Sequence, residues 1–482
     1  MHTTKNYIGG EWIRPSAGTI SRMSPSDFRE EAGVVYLSDS SAVTDATDAA
    51  RRALAGWASL TGLKRGDILY EMADALRQHA EELAQLASLE MGKPIGEMRG
   101  EVTRGIQILR YYAAEGARAI GSVIPASTDS VLQYTRRVPL GVVGIITPWN
   151  FPVAIPMWKI APALICANTV VWKPAEIASL TATKLVEILA TTSLPKGVIN
   201  LVIGQGRKIG DALLQEADLD GVSFTGSTAT GQHVAATCAS RNIKYQTEMG
   251  GKNAAVVLRD ADLSITVPAI LSGAFRSAGQ KCTATSRIIV EDDIYDQLVA
   301  QLKATTEAIR QGAANDEQSY LGPVASKEQQ EKVQSYVQMA QSADVIAAGA
   351  GTDLAHHGAY ITPLIVSGVG VDHPLVQEEI FGPIATIVRA KDLADAISVC
   401  NRTVYGLTAS VFTQDVSKAF RFLEEAEAGM VRVNLETAGV EYQAPFGGMK
   451  MSSSHSREQG QAALDFYSQI KTCAVYYGSN QK

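Results

Sequence analysis

One cysteine in this sequence has a setting suited to nucleophilic chemistry. Cys282 stands in the run from Gly279 to Thr283, between a helix-like segment and a β-like segment. The glycine permits unusual backbone angles, and the adjacent Lys281 can favour the thiolate, which attacks carbonyl carbons. A lone cysteine is more often a buried structural residue, so both interpretations stay open for this motif by itself.

A carboxylate and an amide could assist such a nucleophile. Glu248 follows a β-like run and precedes two glycines, so its carboxylate can reach an open cleft and act as a general base. Asn150, within the run from Pro148 to Pro152, offers a neutral NH2 group that can stabilise an oxyanion. The alternatives are a solvated surface glutamate and a proline-bounded turn capped by an asparagine.

Two junctions between predicted strands and helices indicate a dinucleotide site. The run from Phe224 to Ser227 precedes a helix whose amino-terminal NH groups can face a pyrophosphate. Lys173 and Glu176 follow another predicted strand, where the adenosine half of a cofactor would lie. The glycines from Gly204 to Gly210 lack the standard dinucleotide spacing. Ordinary strand–helix punctuation is the alternative at each place.

The elements around these residues predict an α/β fold. Apolar β-runs at 140–147, 168–172, 198–203, 221–224 and 243–246 alternate with helix-like segments at 154–166, 180–190, 208–215 and 232–239. This alternation predicts a doubly wound parallel sheet, with ligands at the carboxyl ends of its strands. After Gly250-Gly251 the alternation resumes with different spacing, which predicts a second α/β domain.

Composition excludes several classes of protein. The 482 residues are enough for two or three domains, and the net charge of −7 without a basic run argues against a nucleic-acid partner. The amino terminus lacks a signal-peptide pattern, and we expect no membrane span. Five scattered cysteines argue against disulfides and zinc, so no metal is expected. The cytoplasm is the expected location.

Taken together, the motifs resemble the aldehyde dehydrogenase superfamily over essentially the whole chain. Seven motifs occur in the family's order and approximate spacing, namely Pro148–Pro152, Lys173–Glu176, Phe224–Ser227, Glu248–Asn253, Gly279–Cys282, Glu378–Pro383 and Pro445–Gly448. The resemblance implies oxidation of an aldehyde to an acid through a thioester on Cys282. It also implies an oxyanion held by Asn150 and the Cys282 backbone NH, and a water activated by Glu248. Lys159 and Glu458 match positions associated with proton relay.

The resemblance also implies a nicotinamide cofactor and a set of residues that contact it. These residues are Ile146, Thr147, Pro148, Trp149, Lys173, Glu176, Gly206, Phe224, Thr225, Gly226, Ser227, Met249, Gly250, Glu379 and Phe381. Glu176 can accept hydrogen bonds from a ribose 2′-hydroxyl and would repel a 2′-phosphate. NAD is therefore favoured, with NADP as the alternative.

The expected substrate contacts are Phe151, Trp158, Arg276 and Thr283. Arg276 could grip the far carboxylate of a semialdehyde, or it could be a helix arginine turned to solvent. The carboxyl-terminal stretch 434–460 resembles the 2-oxoglutarate (α-ketoglutaric) semialdehyde dehydrogenase branch, so that aldehyde ranks first. Succinic semialdehyde ranks second, because its dehydrogenases typically carry a second arginine where this chain has Trp158. A neutral aldehyde ranks third.

Three units follow from the resemblance. They are a cofactor domain formed by 1–118 and 139–250, a catalytic domain formed by 251–460, and a small β bridging element formed by 119–138 and 461–482. The bridging element implies a homodimer or homotetramer. Three other classes stay open, namely a non-catalytic binding relative, an acyltransferase that uses coenzyme A, and a cysteine hydrolase. Intact Cys282, Glu248 and Asn150 argue against the first, and Glu248 argues against the second.

Overall fold

A computed structural model describes residues 2–478 of the chain. The helices in this range are α1 Ser41–Ser59, α2 Gly62–Gln78, α3 Ala80–Met91, α4 Ile95–Glu115, α5 Ala154–Ile165, α6 Ser179–Leu189, α7 Asp211–Gln215, α8 Thr228–Ser240, α9 Leu263–Phe275, α10 Tyr295–Glu307, α11 Lys327–Ala340, α12 Pro374–Gln377, α13 Leu393–Asn401, α14 Val416–Glu425 and α15 Ala462–Phe466.

The strands in the same range are β1 His2–Thr3, β2 Asn6–Ile8, β3 Glu11–Ile13, β4 Thr19–Ser24, β5 Asp27–Tyr36, β6 Val123–Ile124, β7 Val131–Pro139, β8 Val142–Thr147, β9 Thr169–Pro174, β10 Ile199–Leu201, β11 Gly221–Thr225, β12 Lys244–Glu248, β13 Asn253–Val257, β14 Thr285–Glu291, β15 Asp344–Ala348, β16 Leu364–Ser367, β17 Ile384–Ala390, β18 Tyr405–Gly406, β19 Thr408–Phe412, β20 Met430–Val433, β21 Met449–Lys450 and β22 Ser468–Tyr476.

The first large sheet has the strand order β12-β11-β8-β9-β10-β2-β3. Its five strands from β8 to β12 are parallel, and β2 and β3 extend the edge in antiparallel fashion. Among the parallel strands, the chain starts at the central β8, winds outward through β9 and β10 to meet β2, and returns to the other side for β11 and β12. Strands buried on both faces need continuous apolar runs, and β9 is buried along its whole length. The predicted doubly wound sheet is confirmed.

The second large sheet has the strand order β15-β16-β17-β14-β13-β19-β20 and is parallel except for β15. The last strand of the first sheet ends at Glu248, and the first strand of the second begins at Asn253. The two sheets are therefore separated in sequence by the short segment that contains Gly250 and Gly251. A second α/β sheet is confirmed, while the domain boundaries themselves stay a prediction.

A third sheet joins the two segments that the sequence analysis assigned to the bridging element. Strand β22 pairs with β7 in antiparallel register from Ser468 opposite Pro139 to Tyr476 opposite Val131, and β6 pairs with the other side of β7. The carboxyl-terminal segment thus returns to a strand that lies more than 300 residues earlier. Residues 479–482 of the predicted bridging element lie outside the described residues.

Part of the amino-terminal segment forms a small sheet of its own. Strands β1, β5 and β4 form a separate small sheet. From this sheet the buried Arg22 donates hydrogen bonds to the carbonyls of Glu90 and Ala325, at 2.8 and 2.6 Å. Residues from both large units therefore hold this sheet, which the alternating pattern after residue 140 gave no reason to expect.

Two further properties concern membranes and metals. No helix within residues 2–478 combines the length and the apolar character that crossing a membrane requires. In the same range, His, Cys, Asp and Glu side chains form no cluster of three or more that could hold a metal ion.

Candidate active site

Two cavities meet at Cys282. The first is a cleft of about 380 Å³ along the carboxyl ends of β8, β9, β11 and β12. The second is a chamber of about 260 Å³ between α4, α5 and the segment 438–440. Cys282 and Ile155 line both cavities. A nucleophile in this position can touch a molecule in either cavity, so the two can react with each other at the sulfur.

A left-handed turn presents Cys282 ahead of β14. Ser277, Ala278 and Gly279 have φ of 56°, 53° and 68°. A Cβ on Gly279 would lie 2.2 Å from the carbonyl oxygen of Gly382, so only glycine fits. Asn253 Nδ2 then donates to the Cys282 carbonyl at 2.8 Å and fixes the backbone beside the sulfur. The glycine singled out in the sequence has the unusual backbone angle that was expected.

The surroundings of Cys282 hold its proton. Burial raises the pKa of the thiol, and the carboxylates of Glu379, Glu248 and Glu458 raise it further. The ammonium of Lys281 donates to the Ser272 carbonyl at 3.2 Å and is not among the groups that shift the cysteine pKa. The expectation that Lys281 favours the thiolate is therefore wrong for this structure.

A buried ion pair positions Asn150. Lys93 Nζ lies 2.6 Å from a Glu101 carboxylate oxygen and donates to the Asn150 carbonyl at 2.6 Å. The other Glu101 oxygen accepts the backbone NH of Val153 at 2.8 Å. Asn150 Nδ2 donates to the Gln280 carbonyl at 2.8 Å. A primary amide has two hydrogens, so the second one is left for an oxygen near Cys282.

Glu248 is the last residue of β12 and is 1 % exposed. Ser453 Oγ donates to one carboxylate oxygen, and the other, Oε1, has no partner within the described residues. Burial raises the pKa of Glu248 well above the usual value, and the neighbouring Glu458 raises it further. A carboxyl group with a raised pKa is suited to accept and return a proton near neutral pH. Ser453 was not predicted as a site residue. It lies in the stretch 434–460, which was used only to identify the branch of the family.

Lys159 and Glu458 form a fully buried ion pair behind Glu248. Lys159 Nζ also donates to Ser223 Oγ at 2.9 Å, and the indole NH of Trp158 donates to the second Glu458 oxygen at 2.8 Å. Glu458 raises the pKa of Glu248, and Lys159 lowers it. The two residues thus influence the charge state of Glu248 electrostatically, and their role in a proton relay stays a prediction.

All fifteen predicted cofactor residues line the cleft. They are Ile146, Thr147, Pro148, Trp149, Lys173, Glu176, Gly206, Phe224, Thr225, Gly226, Ser227, Met249, Gly250, Glu379 and Phe381. The sequence missed Ile155, Ala175, Thr230, Gln329 and Lys332, which also line the cleft. Gln329 and Lys332 lie on α11, far along the chain and outside any motif.

The donors and acceptors in the cleft fit a dinucleotide. Ser227 caps the amino terminus of α8 and accepts the Thr230 NH at 3.4 Å, so the first turn of the helix opens into the cleft. Glu176 accepts the Gly206 NH, and the buried Lys173 ammonium lies at the end of the neighbouring strand. The groove therefore contains NH groups that can bind an anion and the Lys173 cation. It also contains the Glu176 carboxylate, which can accept a hydrogen bond from a ribose hydroxyl.

The chamber contains three of the four predicted substrate residues. Phe151, Trp158 and Thr283 line it, together with Phe446 and the segment 438–440. Arg276 is not part of the lining, because its guanidinium stacks on the Tyr320 ring with 4.4 Å between Cζ and the ring centroid. The prediction that Arg276 contacts the substrate gains no support from this geometry and stays a prediction.

Comparison with known proteins identifies the family that shares this arrangement. Residues 12–473 match the model of the aldehyde dehydrogenase family. The chain belongs to the aldehyde dehydrogenase family. The α-ketoglutaric semialdehyde dehydrogenase of Bacillus subtilis (strain 168) is 45% identical, with 98% of each chain covered. The α-ketoglutarate semialdehyde dehydrogenase of Haloferax volcanii is 38% identical, with 97% of this chain and 98% of that protein covered.

A solved aldehyde dehydrogenase agrees in three dimensions. Betaine aldehyde dehydrogenase from Staphylococcus aureus in complex with NAD⁺ superposes with a TM-score of 0.95 and 32% identity, over 98% of this chain and 95% of that one. The family predicted from seven motifs is confirmed, and with it the NAD(P)-dependent oxidation of an aldehyde. The roles of individual residues stay predictions.

The hydrogen bond from Ser453 generates a first prediction. This bond lowers the pKa of Glu248 against burial, so Ser453→Ala should raise that pKa further. A base with a higher pKa is deprotonated only at higher pH. The variant should therefore hydrolyse its thioester about threefold to tenfold more slowly at neutral pH, the equivalent of one hydrogen bond.

Single-turnover hydrolysis measured from pH 6 to 10 checks this outcome. The activity limb should move to higher pH in the variant. Ser454→Ala is the matched control, because Ser454 Oγ accepts only the backbone NH of Thr247 among its contacts with β12. An unshifted limb in Ser453→Ala would show that this serine does not tune Glu248.

Glu176 generates a second prediction. Replacing its carboxylate by an amide in Glu176→Gln removes the repulsion of a 2′-phosphate, worth about 1–2 kcal/mol near a protein surface. kcat/KM with NADP should rise about tenfold, and kcat/KM with NAD should fall several-fold. The exposed Glu187→Gln on α6 is the control. An unchanged NADP/NAD ratio in Glu176→Gln would contradict the assignment.

Proposed function

We propose that the chain oxidises the aldehyde group of 2-oxoglutarate semialdehyde through a thioester on Cys282. One observation supports this above the others, namely that Cys282 lines both the cofactor cleft and the chamber. The sulfur is then reached by the aldehyde from one side and by the cofactor from the other. The steps below follow from the side chains around that sulfur.

Thioester formation begins when the Cys282 sulfur attacks the carbonyl carbon. The thiol proton passes to a water molecule as the carbon–sulfur bond forms, and the carbonyl oxygen becomes an oxyanion. The second Asn150 amide hydrogen and the Cys282 backbone NH can bind this oxygen. These neutral donors stabilise the oxyanion without adding a further charge beside the thiol, whose pKa three carboxylates already raise.

The cleft would hold NAD along its strand ends. Its α8 amino terminus would take the pyrophosphate, Lys173 and Glu176 the adenosine ribose, and Glu379 with Phe381 the nicotinamide side. When bound, the nicotinamide supplies the acceptor for the hydride that leaves the aldehyde carbon. Trp149 and Phe381 stand edge to face with ring centroids 5.4 Å apart, and Phe381 has a left-handed backbone with φ 58°.

Hydrolysis is the task of Glu248. Its unpartnered oxygen can take a proton from a water molecule, and the resulting hydroxide displaces the cysteine sulfur from the acyl carbon. The proton can pass to the buried pair of Lys159 and Glu458, which is electrostatically coupled to Glu248. Water is the acceptor in this scheme, so coenzyme A is not required.

The substrate assignment rests on the relatives and on the chamber. Both relatives named above oxidise the semialdehyde of α-ketoglutarate according to their names. The segment 434–442, which resembles that branch in sequence, supplies Ala438, Gly439 and Val440 to the chamber wall. We also propose a cytoplasmic location, since oxidation of this kind draws on the NAD pool of the cell.

We propose that a second copy of the chain covers the three-stranded sheet. Apolar side chains stand exposed on its strands, with Val123 at 75 % and Ile470 at 68 % exposure. Val475 and Tyr476 on the same sheet are also exposed. Exposed apolar patches of this kind mark interfaces. The bridging element would therefore hold a homodimer or homotetramer together.

Glu248→Gln tests the mechanism. The amide cannot accept a proton, but the attack by Cys282 and the oxidation step remain. The variant should release NADH in a burst equal to the enzyme concentration, followed by turnover about 100-fold slower than wild type, within the usual range for a lost general base. Absorbance at 340 nm after rapid mixing with 2-oxoglutarate semialdehyde and NAD measures both phases.

Two controls separate the alternatives. Cys282→Ala should give neither burst nor turnover, and turnover in this variant would sink the thioester mechanism. Wild-type NADH formation should not depend on added coenzyme A, and a strict dependence would favour the acyltransferase class. If neutral aldehydes react best, the mechanism stands and the semialdehyde assignment fails.

Ile470→Glu tests the proposed interface. A charge in a buried apolar contact costs several kcal/mol, so the variant should shift the sedimentation coefficient of the assembly towards that of a single chain. Ile265→Glu on α9, where the native side chain is 45 % exposed, is the matched control and should not dissociate. Equal sedimentation of Ile470→Glu and wild type would contradict the interface.

A further inference from the structure

The substrate chamber contains a cation that the sequence did not single out. Of the side chains lining the chamber, Lys93 and Arg104 carry a positive charge. Arg104 lies on α4, one turn after Gly100 and Glu101, on the helix face that turns towards the chamber. This residue stands outside every motif by which the chain resembles its family.

The other charged groups of the chamber are already bound. Lys93 is held by Glu101 and by the Asn150 carbonyl, each at 2.6 Å. Glu97 accepts the Ser277 NH at 3.0 Å and the Ser277 hydroxyl at 2.6 Å. These groups have fixed partners and cannot turn to a substrate without breaking a buried pair.

Arg104 is different because its charge is only weakly compensated. Within residues 2–478 its one ion-pair partner is Glu441, and the closest nitrogen–oxygen distance is 4.0 Å, beyond hydrogen-bonding range. Glu441 is itself 63 % exposed, so water screens the pair. The guanidinium is about one-third exposed and lies 5.4 Å from the Tyr442 ring centroid, which braces it against the wall.

The wall of the chamber offers no other positively charged group that is free to bind a carboxylate, because Lys93 is already held by Glu101 and by the Asn150 carbonyl. Phe151, Trp158 and Phe446 present rings, and the Trp158 indole NH already donates to Glu458. A substrate with its aldehyde carbon at Cys282 would extend between these apolar surfaces towards the α4 face. A carboxylate at its far end would meet the planar donor fork of an arginine, which matches carboxylate geometry.

We propose that Arg104 binds the distal carboxylate of the aldehyde substrate and so selects anionic aldehydes. This inference rests on the proposed function, because it assumes that the aldehyde reacts at Cys282. It replaces Arg276, whose guanidinium stacks on Tyr320 outside the chamber. Glu441 then acts as a weak competitor for Arg104 in the free enzyme.

Arg104→Gln tests the assignment. Loss of a charge-assisted contact should lower kcat/KM for 2-oxoglutarate semialdehyde about 10- to 100-fold, mainly through KM. kcat/KM for pentanal, a neutral aldehyde with the same number of carbons, should stay within about twofold, since no charged contact is lost. Retained pentanal oxidation shows that the variant is folded and that Cys282 is intact.

Three companion variants sharpen the result. Arg104→Lys should recover part of the lost kcat/KM, because the charge remains but the planar fork does not. Glu441→Gln should lower KM for the anionic aldehyde by removing the competitor. Arg276→Gln should leave the ratio of the two substrates unchanged. Equal losses for both aldehydes in Arg104→Gln, or a selective loss in Arg276→Gln instead, would overturn the proposal.

A binding measurement keeps this proposal separate from the proposed function. Calorimetry with 2-oxoglutarate, the expected product, needs no turnover and can use Cys282→Ala. Binding that is weakened about tenfold or more by adding Arg104→Gln supports the clamp even if the oxidation chemistry fails. Binding that is unaffected by this change overturns the clamp even if aldehyde oxidation is demonstrated.

Discussion

One sulfur atom must be reachable from two cavities, and most of the architecture follows from that constraint. The cofactor cleft runs along the carboxyl ends of the first sheet, as expected for a doubly wound fold. Cys282, in contrast, precedes β14, and Glu379 precedes β17, so the second sheet contributes its amino ends. The carboxyl ends of the strands in the first sheet therefore face the amino ends of the strands in the second sheet. The left-handed turn through Gly279 brings the cysteine into the gap between them.

The charged groups around this gap are buried and act as a set. Burial and carboxylates raise the pKa of both Cys282 and Glu248, so the resting site holds protons that the chemistry later removes. Two buried ion pairs near these groups compensate part of the buried charge. Lys93 with Glu101 stabilises the Asn150 loop, and Lys159 with Glu458 lies behind the base. Removing one partner of such a pair leaves a buried charge and costs about 3–5 kcal/mol.

The sequence predicted the motif-bearing parts of the site and missed the rest for identifiable reasons. Strand ends such as Lys173–Glu176 have local signals, so all fifteen cofactor residues fall in the cleft. Lys332 and Arg104 lie on ordinary amphipathic helices, where a functional cation resembles a solvated one. Arg276 was favoured because it is near Cys282 in sequence, but its guanidinium stacks on the Tyr320 ring, a contact that sequence proximity does not reveal. The small amino-terminal sheet depends on contacts hundreds of residues away, which no local pattern encodes.

The indole of Trp158 belongs to two systems at once. Its ring forms part of the substrate chamber, while its NH holds the Glu458 carboxylate that is paired with Lys159. The shape of the substrate and the movement of protons are thus linked through a single side chain. Under the proposed mechanism, a substitution that widens the chamber at this position would also change the surroundings of Glu458. New substrate preferences are more freely acquired on the opposite wall, where α4 and the segment 438–440 have no part in the proton route.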